Sequence, residues 1–134
     1  MTPVLDASAV LTLLYREPGH EKVADLIDGS VISSVNWSEV VQKLAQRGLP
    51  DSAEVAADLL ALGTTILPFT RDDAEAAAAL WPAGRPHGLS LGDRACLAVA
   101  QALATPLAVT ADLTWAQVDA GVDVLVVRDH KDAP

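Results

Sequence analysis

The 134-residue sequence is long enough for one substantial core, and we expect residues 1–134 to form a single domain. Its formal net charge of −9 at pH 7 argues against attachment to nucleic acid or anionic membranes through a broadly basic surface. Hydrophobic residues make up 51% of the chain and aromatic residues 4%, which favours packed layers of alanine, valine and leucine.

Membrane and redox signals are weak. No apolar run approaches the ~18 residues of a membrane span, and the N-terminal residues 1–6 contain no basic targeting segment. We therefore expect a cytoplasmic protein that does not contact a membrane. Cys96 is the only cysteine, which excludes an intrachain disulfide, and its apolar helical neighbours indicate a core position.

The first part of the chain alternates between strand and helix patterns. Residues 4–6 are typical of the end of a short buried strand, and a helix is expected from Ala9 until just before residues 17–19. A second helix is expected at about 20–28, and residues 31–33 have strand character. The chain therefore begins with two strands joined by helices.

Two capping-box patterns follow. Asn36 with Glu39 predicts the start of a helix whose apolar face includes Val41, and Asp51 with Glu54 predicts the start of the next helix. The helix that begins at Asp51 is expected to run to about Leu62, with Gly63 as its C-terminal stop, and residues 64–67 then form a third strand.

The remaining elements continue the alternation. Thr70 with Asp73 predicts the start of an alanine-rich helix, and residues 83–88, rich in glycine and proline, predict an exposed loop. The helix that begins near Ser90 is apolar on nearly every side, so it should be deeply buried. Residues 107–110 and 122–127 are the last two strand candidates. Five strands separated mainly by helices predict an α/β fold in which a mostly parallel sheet lies between helices.

Four acids stand beside predicted strand ends or helix starts: Asp6, Glu39, Asp93 and Asp112. Two like charges about 4 Å apart repel by roughly 1 kcal/mol in water, or about 4 at an effective dielectric near 20, so four ionised carboxylates in one cleft are costly without a cation. Mg²⁺ and Mn²⁺ prefer such oxygen ligands, and this chemistry suggests phosphoryl transfer.

Each of these acids has an alternative interpretation as a helix cap. Asp6 can cap the first helix, Glu39 can pair with Asn36, and Asp93 can pair with Ser90 in a capping box. Asp112 can likewise cap a short helix at 113–118, with Thr110 as a supporting polar group. Acids on predicted surface helices are interpreted as solubilising groups, and these are Asp51, Asp58, Asp72, Asp73 and Glu75.

Four spaced fragments, at residues 4–10, 34–40, 89–98 and 107–115, closely resemble the PIN-domain family, and more narrowly the VapC toxins of bacterial toxin–antitoxin pairs. The resemblance implies a PIN-like, three-layer α/β/α sandwich and an endoribonuclease dependent on Mg²⁺ or Mn²⁺. It assigns the family's acidic quartet to the four acids above.

The same resemblance implies further properties. It assigns supporting polar positions to Ser8 and Thr110. It also implies that the RNA products carry 5′-phosphate and 3′-hydroxyl ends. It also implies a structured RNA substrate such as tRNA, a small antitoxin as partner, and a homodimer.

Substrate binding by so acidic a chain would need local cations. Arg85 and Arg94, near the start of the Asp93 helix, are candidate RNA contacts, with Lys43 and Arg47 further along the Glu39 helix; each is also consistent with an ordinary surface charge. Trp115 can stack on a base or pack inward. The histidines lack a metal-binding spacing, and they are His20, His87 and His130.

The sequence leaves three alternative functions to compare. A haloacid-dehalogenase-type phosphatase would need an aspartate at the position of Ser8, and a receiver domain would need a lysine where Arg128 stands. A catalytically silent PIN-like domain that binds RNA or a protein partner is the stronger alternative, because intact acids do not prove turnover.

Overall fold

In the computed structural model, which describes residues 1–129, five short strands form one parallel sheet in the order β3-β2-β1-β4-β5. The mostly parallel α/β sheet expected from the sequence is therefore confirmed. His130 lies outside the described residues. The strands are β1 (Thr2–Leu5), β2 (Val31–Ser33), β3 (Thr65–Leu67), β4 (Pro106–Thr110) and β5 (Asp123–Val126).

Helices connect the strands and cover both faces of the sheet. Two short 3₁₀ segments, Arg85–His87 and Leu113–Gln117, complete the order. The helices are α1 (Ala7–Leu14), α2 (His20–Leu26), α3 (Ser34–Gln46), α4 (Ser52–Ala61), α5 (Arg71–Ala79), α6 (Trp81–Gly84) and α7 (Leu91–Gln101).

The core consists of two apolar layers, one on each face of the sheet. Side chains alternate between faces along a strand, so Leu5 packs with α1 to α4, whereas its neighbour Val4 packs with α5 and α7. Val109 and Ala108 divide between the two layers in the same way. The result is the expected three-layer α/β/α arrangement, with Cys96 fully buried in the second layer. Among residues 1–129, no helix combines the length and apolar character that crossing a membrane requires.

The exposed loop predicted at residues 83–88 was wrong. Residues 83–88 are not an exposed loop, because α6 and the segment Arg85–His87 are helical and Gly84 is buried. Gly84 donates its backbone N–H to Leu80 and packs against Leu89 so closely that a Cβ there would lie 2.9 Å from the Leu89 Cβ. Helical packing therefore overrides the glycine and proline signal.

The helix-start predictions had mixed outcomes. The capping boxes of Thr70 with Asp73 and Ser90 with Asp93 are both present. Asp51 stands at the N-cap of α4 without a side-chain cap hydrogen bond, so the pairing with Glu54 was wrong. Val41, expected on the apolar face of α3, is 41% exposed.

Candidate functional site

The four predicted acids line one cavity at the carboxyl edge of the central strands. Asp6 directly follows β1, and Asp112 lies two residues after the adjacent strand β4; parallel strands bring their carboxyl ends to the same edge, where ligands bind in open α/β sheets. We call this space, of about 220 Å³, the acidic cavity. It is lined by Asp6, Glu39, Asp93 and Asp112 together with Ala7, Ser8, Leu11 and Lys43.

Asp6 is the buried member of the group, with 4% of its surface exposed. Its carboxylate accepts hydrogen bonds from the backbone N–H of Ala9 at 2.8 Å, from Ser8 Oγ at 2.7 Å and from Thr110 Oγ1 at 2.5 Å. Burial raises the pKa of Asp6 to about 6, although these three hydrogen bonds oppose the shift. Asp6 is also the N-cap of α1, so the helix-cap interpretation is confirmed while the same carboxylate faces the acidic cavity.

Ser8 and Thr110 join β1 to β4 through the Asp6 carboxylate. Their hydroxyl oxygens lie 3.2 Å apart, and each also accepts a backbone N–H, from Ala111 and from Asp112 respectively. Both side chains therefore fix the position of Asp6 relative to the segment that carries Asp112.

Asp93 combines capping with partial burial. Its Oδ2 accepts the backbone N–H of Ser90 at 2.9 Å, and its own N–H donates to Ser90 Oγ. Burial raises the pKa of Asp93; the negative charge of Asp112 acts in the same direction, whereas Arg94 opposes it. The carboxylate thus lies half-buried at the wall of the acidic cavity.

Asp112 is held in a similar way at the start of the second 3₁₀ segment. Its Oδ1 accepts the backbone N–H of Thr114 at 3.0 Å and the Thr114 hydroxyl at 2.8 Å. The predicted cap is present here too, and one carboxylate serves both as a cap and as part of the cavity wall.

For Glu39, the alternative interpretation as the capping-box partner of Asn36 is wrong. The N-cap of α3 is Ser33, whose hydroxyl accepts the N–H of Val35, and Asn36 lies inside the helix with 1% of its surface exposed. The Asn36 side-chain nitrogen donates to Glu39 Oε1 and to the backbone oxygen of Gly92, both at 2.9 Å. Asn36 therefore fixes Glu39 against α7, at the acidic cavity.

Sequence reasoning missed two residues of this site. The sequence pattern predicts Asn36 only as a cap and gives Gly92 no role, although a glycine inside a helical pattern beside Asp93 is a signal for close packing. A Cβ at Gly92 would lie 2.5 Å from Glu39 Oε1. Gly92 thus leaves the space that the Glu39 carboxylate occupies.

The oxygen donors of the acidic cavity suit a hard divalent cation. Within residues 1–129, however, no three acidic, histidine or cysteine side chains are grouped closely enough to hold one metal ion by themselves. The caps described above account for this spacing, since Asp6, Asp93 and Asp112 each bond to their own helix start. The donor set therefore fits an ion that keeps several waters.

The candidate RNA contacts differ in their surroundings. Arg94 turns inward, where its Nη1 donates to the backbone oxygen of Ala77 at 2.9 Å. Arg85 is exposed, with its guanidinium 5.1 Å from the ring centroid of Trp81. Trp115 is 1% exposed, so its ring packs inward and cannot stack on a base in this conformation.

Comparison with known proteins identifies the family. The PIN-domain model matches residues 4–121. The chain therefore belongs to the PIN-domain family. Comparison with curated protein sequences found no match.

Several solved structures have a similar architecture. A chain of a toxin–antitoxin complex from Klebsiella pneumoniae is 19% identical, with a TM-score of 0.69, over 95% of this chain and 98% of that one. A chain of DNA-bound VapBC from Salmonella typhimurium is 14% identical, with a TM-score of 0.71, over 93% and 97%. Mycobacterium tuberculosis VapC20, described as a toxin that cleaves the sarcin–ricin loop, is 19% identical, with a TM-score of 0.59, over 74% and 81%.

Proposed function

We propose that this protein is an endoribonuclease dependent on Mg²⁺ or Mn²⁺, and that it acts in the cytoplasm as the toxin of a toxin–antitoxin pair. The observation that carries the proposal is the meeting of Asp6, Glu39, Asp93 and Asp112 in one cavity of a PIN-domain fold. The solved toxin structures of the same fold, one of them named as a toxin that cleaves the sarcin–ricin loop, support the biological context.

Each side chain has a distinct part in this proposal. Asp6 and Asp93 are the principal metal ligands, and Glu39 and Asp112 bind directly or through waters. Ser8 and Thr110 orient the Asp6 carboxylate through their hydrogen bonds. The bound ion would supply an activated water and positive charge for phosphodiester hydrolysis.

The protonation of Asp6 sets a further condition. Because its pKa is about 6, the Asp6 carboxylate is predominantly ionised at neutral pH, although only 4% of the residue is exposed. A neighbouring cation would stabilise this buried charge, since opposite charges favour the ionised form. The site is therefore suited to accept a cation near neutral pH.

The direct test is cleavage of a structured RNA such as tRNA by the purified protein, with Mg²⁺ or Mn²⁺ and with EDTA. Cleavage should require the metal, leave 5′-phosphate and 3′-hydroxyl ends, and be lost in Asp6→Asn and Asp93→Asn. Asp72→Asn removes the same charge from an exposed position on α5 and should cleave normally. Undiminished cleavage by either active-site variant would refute the proposed site.

A second candidate function is a catalytically silent PIN-domain protein that binds RNA or a protein partner. It is favoured by the spacing of the carboxylates, no three of which are grouped to hold one ion within residues 1–129. Expression in cells separates the two functions. A toxin should arrest growth, and co-expression of a small protein encoded by a neighbouring gene should relieve the arrest, whereas a silent domain should not affect growth. We also propose the homodimer that the family resemblance implies, and sedimentation of the purified protein tests it.

A further inference from the structure

A second cavity, of about 320 Å³, adjoins the acidic cavity and has a different charge. The two cavities share four lining residues, Ser8, Leu11, Lys43 and Asp112, so they form one continuous groove. We call the second one the basic cavity, because three cations line it: Lys43, Arg47 and Arg128. Its acids are Glu17 and Asp112.

This concentration of positive charge is unusual for the chain. The whole sequence has nine lysines and arginines against 18 acids, yet three of the nine line a single cavity beside the proposed catalytic carboxylates. The rest of the surface of so acidic a protein would repel a polyanion. The basic cavity is therefore a positively charged region on a protein whose net charge is negative.

Helix α3 leads from one cavity to the other. Glu39, Lys43 and Arg47 follow one another at intervals of four residues, so they lie on one face of the helix, about 6 Å apart along its axis. Glu39 and Lys43 line the acidic cavity, whereas Lys43 and Arg47 line the basic one. The helix thus presents an acid for the metal site and two cations beyond it.

The three cations are available to different degrees. Arg128 is already bonded to Glu17 Oε2 at 3.0 Å and to Thr12 Oγ1 at 3.2 Å, which holds it in place. In residues 1–129, Lys43 and Arg47 have no acidic partner within salt-bridge distance. The guanidinium of Arg47 lies 4.0 Å from the ring centroid of Tyr15, which restricts its motion and leaves its N–H groups for a ligand.

We propose that the basic cavity binds a phosphate group of the RNA strand next to the phosphodiester that lies in the acidic cavity, with Lys43 and Arg47 as its ligands. This inference rests on the proposed ribonuclease function and names residues that position its substrate. Lys43 and Arg47 take the place of Arg94 as candidate RNA contacts, because the Arg94 side chain donates a hydrogen bond to the backbone of α5.

The test measures binding without cleavage. A fluorescently labelled single-stranded RNA is titrated with protein in EDTA at several salt concentrations. Lys43→Ala and Arg47→Ala should each weaken binding several-fold, and each should reduce the slope of log K against log salt by about 0.7. Arg71→Ala is the matched control, since it removes one exposed cation from α5 and should bind like the wild type.

Three results would overturn the inference. They are an absence of RNA binding by the wild type, unchanged binding by both variants, and an equal loss in Arg71→Ala, which would indicate a general charge effect. Poly-glutamate serves as a second probe: if the variants lose only its binding, the cavity recognises an acidic protein and the RNA assignment is wrong. Metal-dependent cleavage by the wild type is measured in a separate experiment. If RNA binding depends on Lys43 and Arg47 but no cleavage occurs, the proposed ribonuclease function is refuted and the RNA-binding role of the basic cavity is retained.

Discussion

The carboxylate of Glu39 lies directly over Gly92, so that a Cβ built on Gly92 would stand 2.5 Å from Oε1 and 2.6 Å from Oε2. This contact joins α3 to α7 at the wall of the acidic cavity. Asn36 completes the junction by donating to both Glu39 and the Gly92 backbone oxygen. The position of one proposed metal ligand thus depends on a glycine and an asparagine that need not touch the metal.

Replacement of Gly92 by alanine should reduce activity while the fold is retained. Alanine favours a helix interior over glycine by about 1 kcal/mol, which offsets part of the clash, but the added methyl group must displace the Glu39 carboxylate. We expect weaker Mn²⁺ binding and slower RNA cleavage with a melting temperature close to that of the wild type. Leu91→Ala, at an exposed position in the same turn, is the control. Normal Mn²⁺ affinity in Gly92→Ala would show that Glu39 is not a ligand.

Asn36 offers an independent test of the same junction. Asn36→Ala removes both hydrogen bonds from a buried side chain, so the free energy of unfolding should fall by about 1–3 kcal/mol. Because Glu39 also loses its anchor, Mn²⁺ affinity should fall as well. Urea unfolding and calorimetric Mn²⁺ titration measure the two effects. Gln42→Ala, an exposed change on the same helix, should alter neither; a loss of stability without any loss of affinity in Asn36→Ala would contradict the positioning role.

The sequence predicted the parts of the site that depend on local chemistry. Asp93 and Ser90 lie three residues apart, so their reciprocal hydrogen bonds can be anticipated from spacing alone. The central strands are short apolar runs, as expected when both faces of a parallel sheet are covered. Asp6 and Asp112 could be placed near each other because both follow such strands.

The contacts that the sequence did not predict join distant segments. Asn36 was expected to cap its own helix, whereas its second partner, Gly92, is 56 residues away. Likewise, the inward direction of Arg94 depends on the backbone of Ala77, which belongs to another helix. Such contacts arise from the packing of α3 and α5 against α7, and no short-range pattern encodes that packing.

Asp6→Asn should stabilise the metal-free protein at neutral pH. The pKa of Asp6 is raised from 3.8 to about 6 in the folded state, so folding favours the protonated form. The stability that this group contributes is therefore greatest below pH 3.8 and falls as the pH rises through about 6. Asparagine imitates the neutral form and avoids this loss, which amounts to at most about 3 kcal/mol.

The measurement is urea unfolding of both proteins in EDTA across the acid to neutral range. The stability difference between Asp6→Asn and the wild type should grow between pH about 4 and about 6 and then remain constant. Asp72→Asn, at an exposed position, should show no such growth. Equal stability of Asp6→Asn and the wild type at neutral pH would mean that the Asp6 charge is not destabilised by burial.

Thr110→Val should move the pH dependence of metal binding upward. The Thr110 hydroxyl donates to Asp6 Oδ2 and lowers the pKa of that carboxyl, so the nearly isosteric valine should let the pKa rise further. A metal ligand must be deprotonated, and the midpoint of Mn²⁺ binding against pH should shift to higher pH. Calorimetric titration at a series of pH values measures this shift, with the exposed Thr105→Val as control. An unchanged midpoint, with lower stability from the lost acceptor of the Asp112 N–H, would indicate that Thr110 supports the fold and not the ionisation of Asp6.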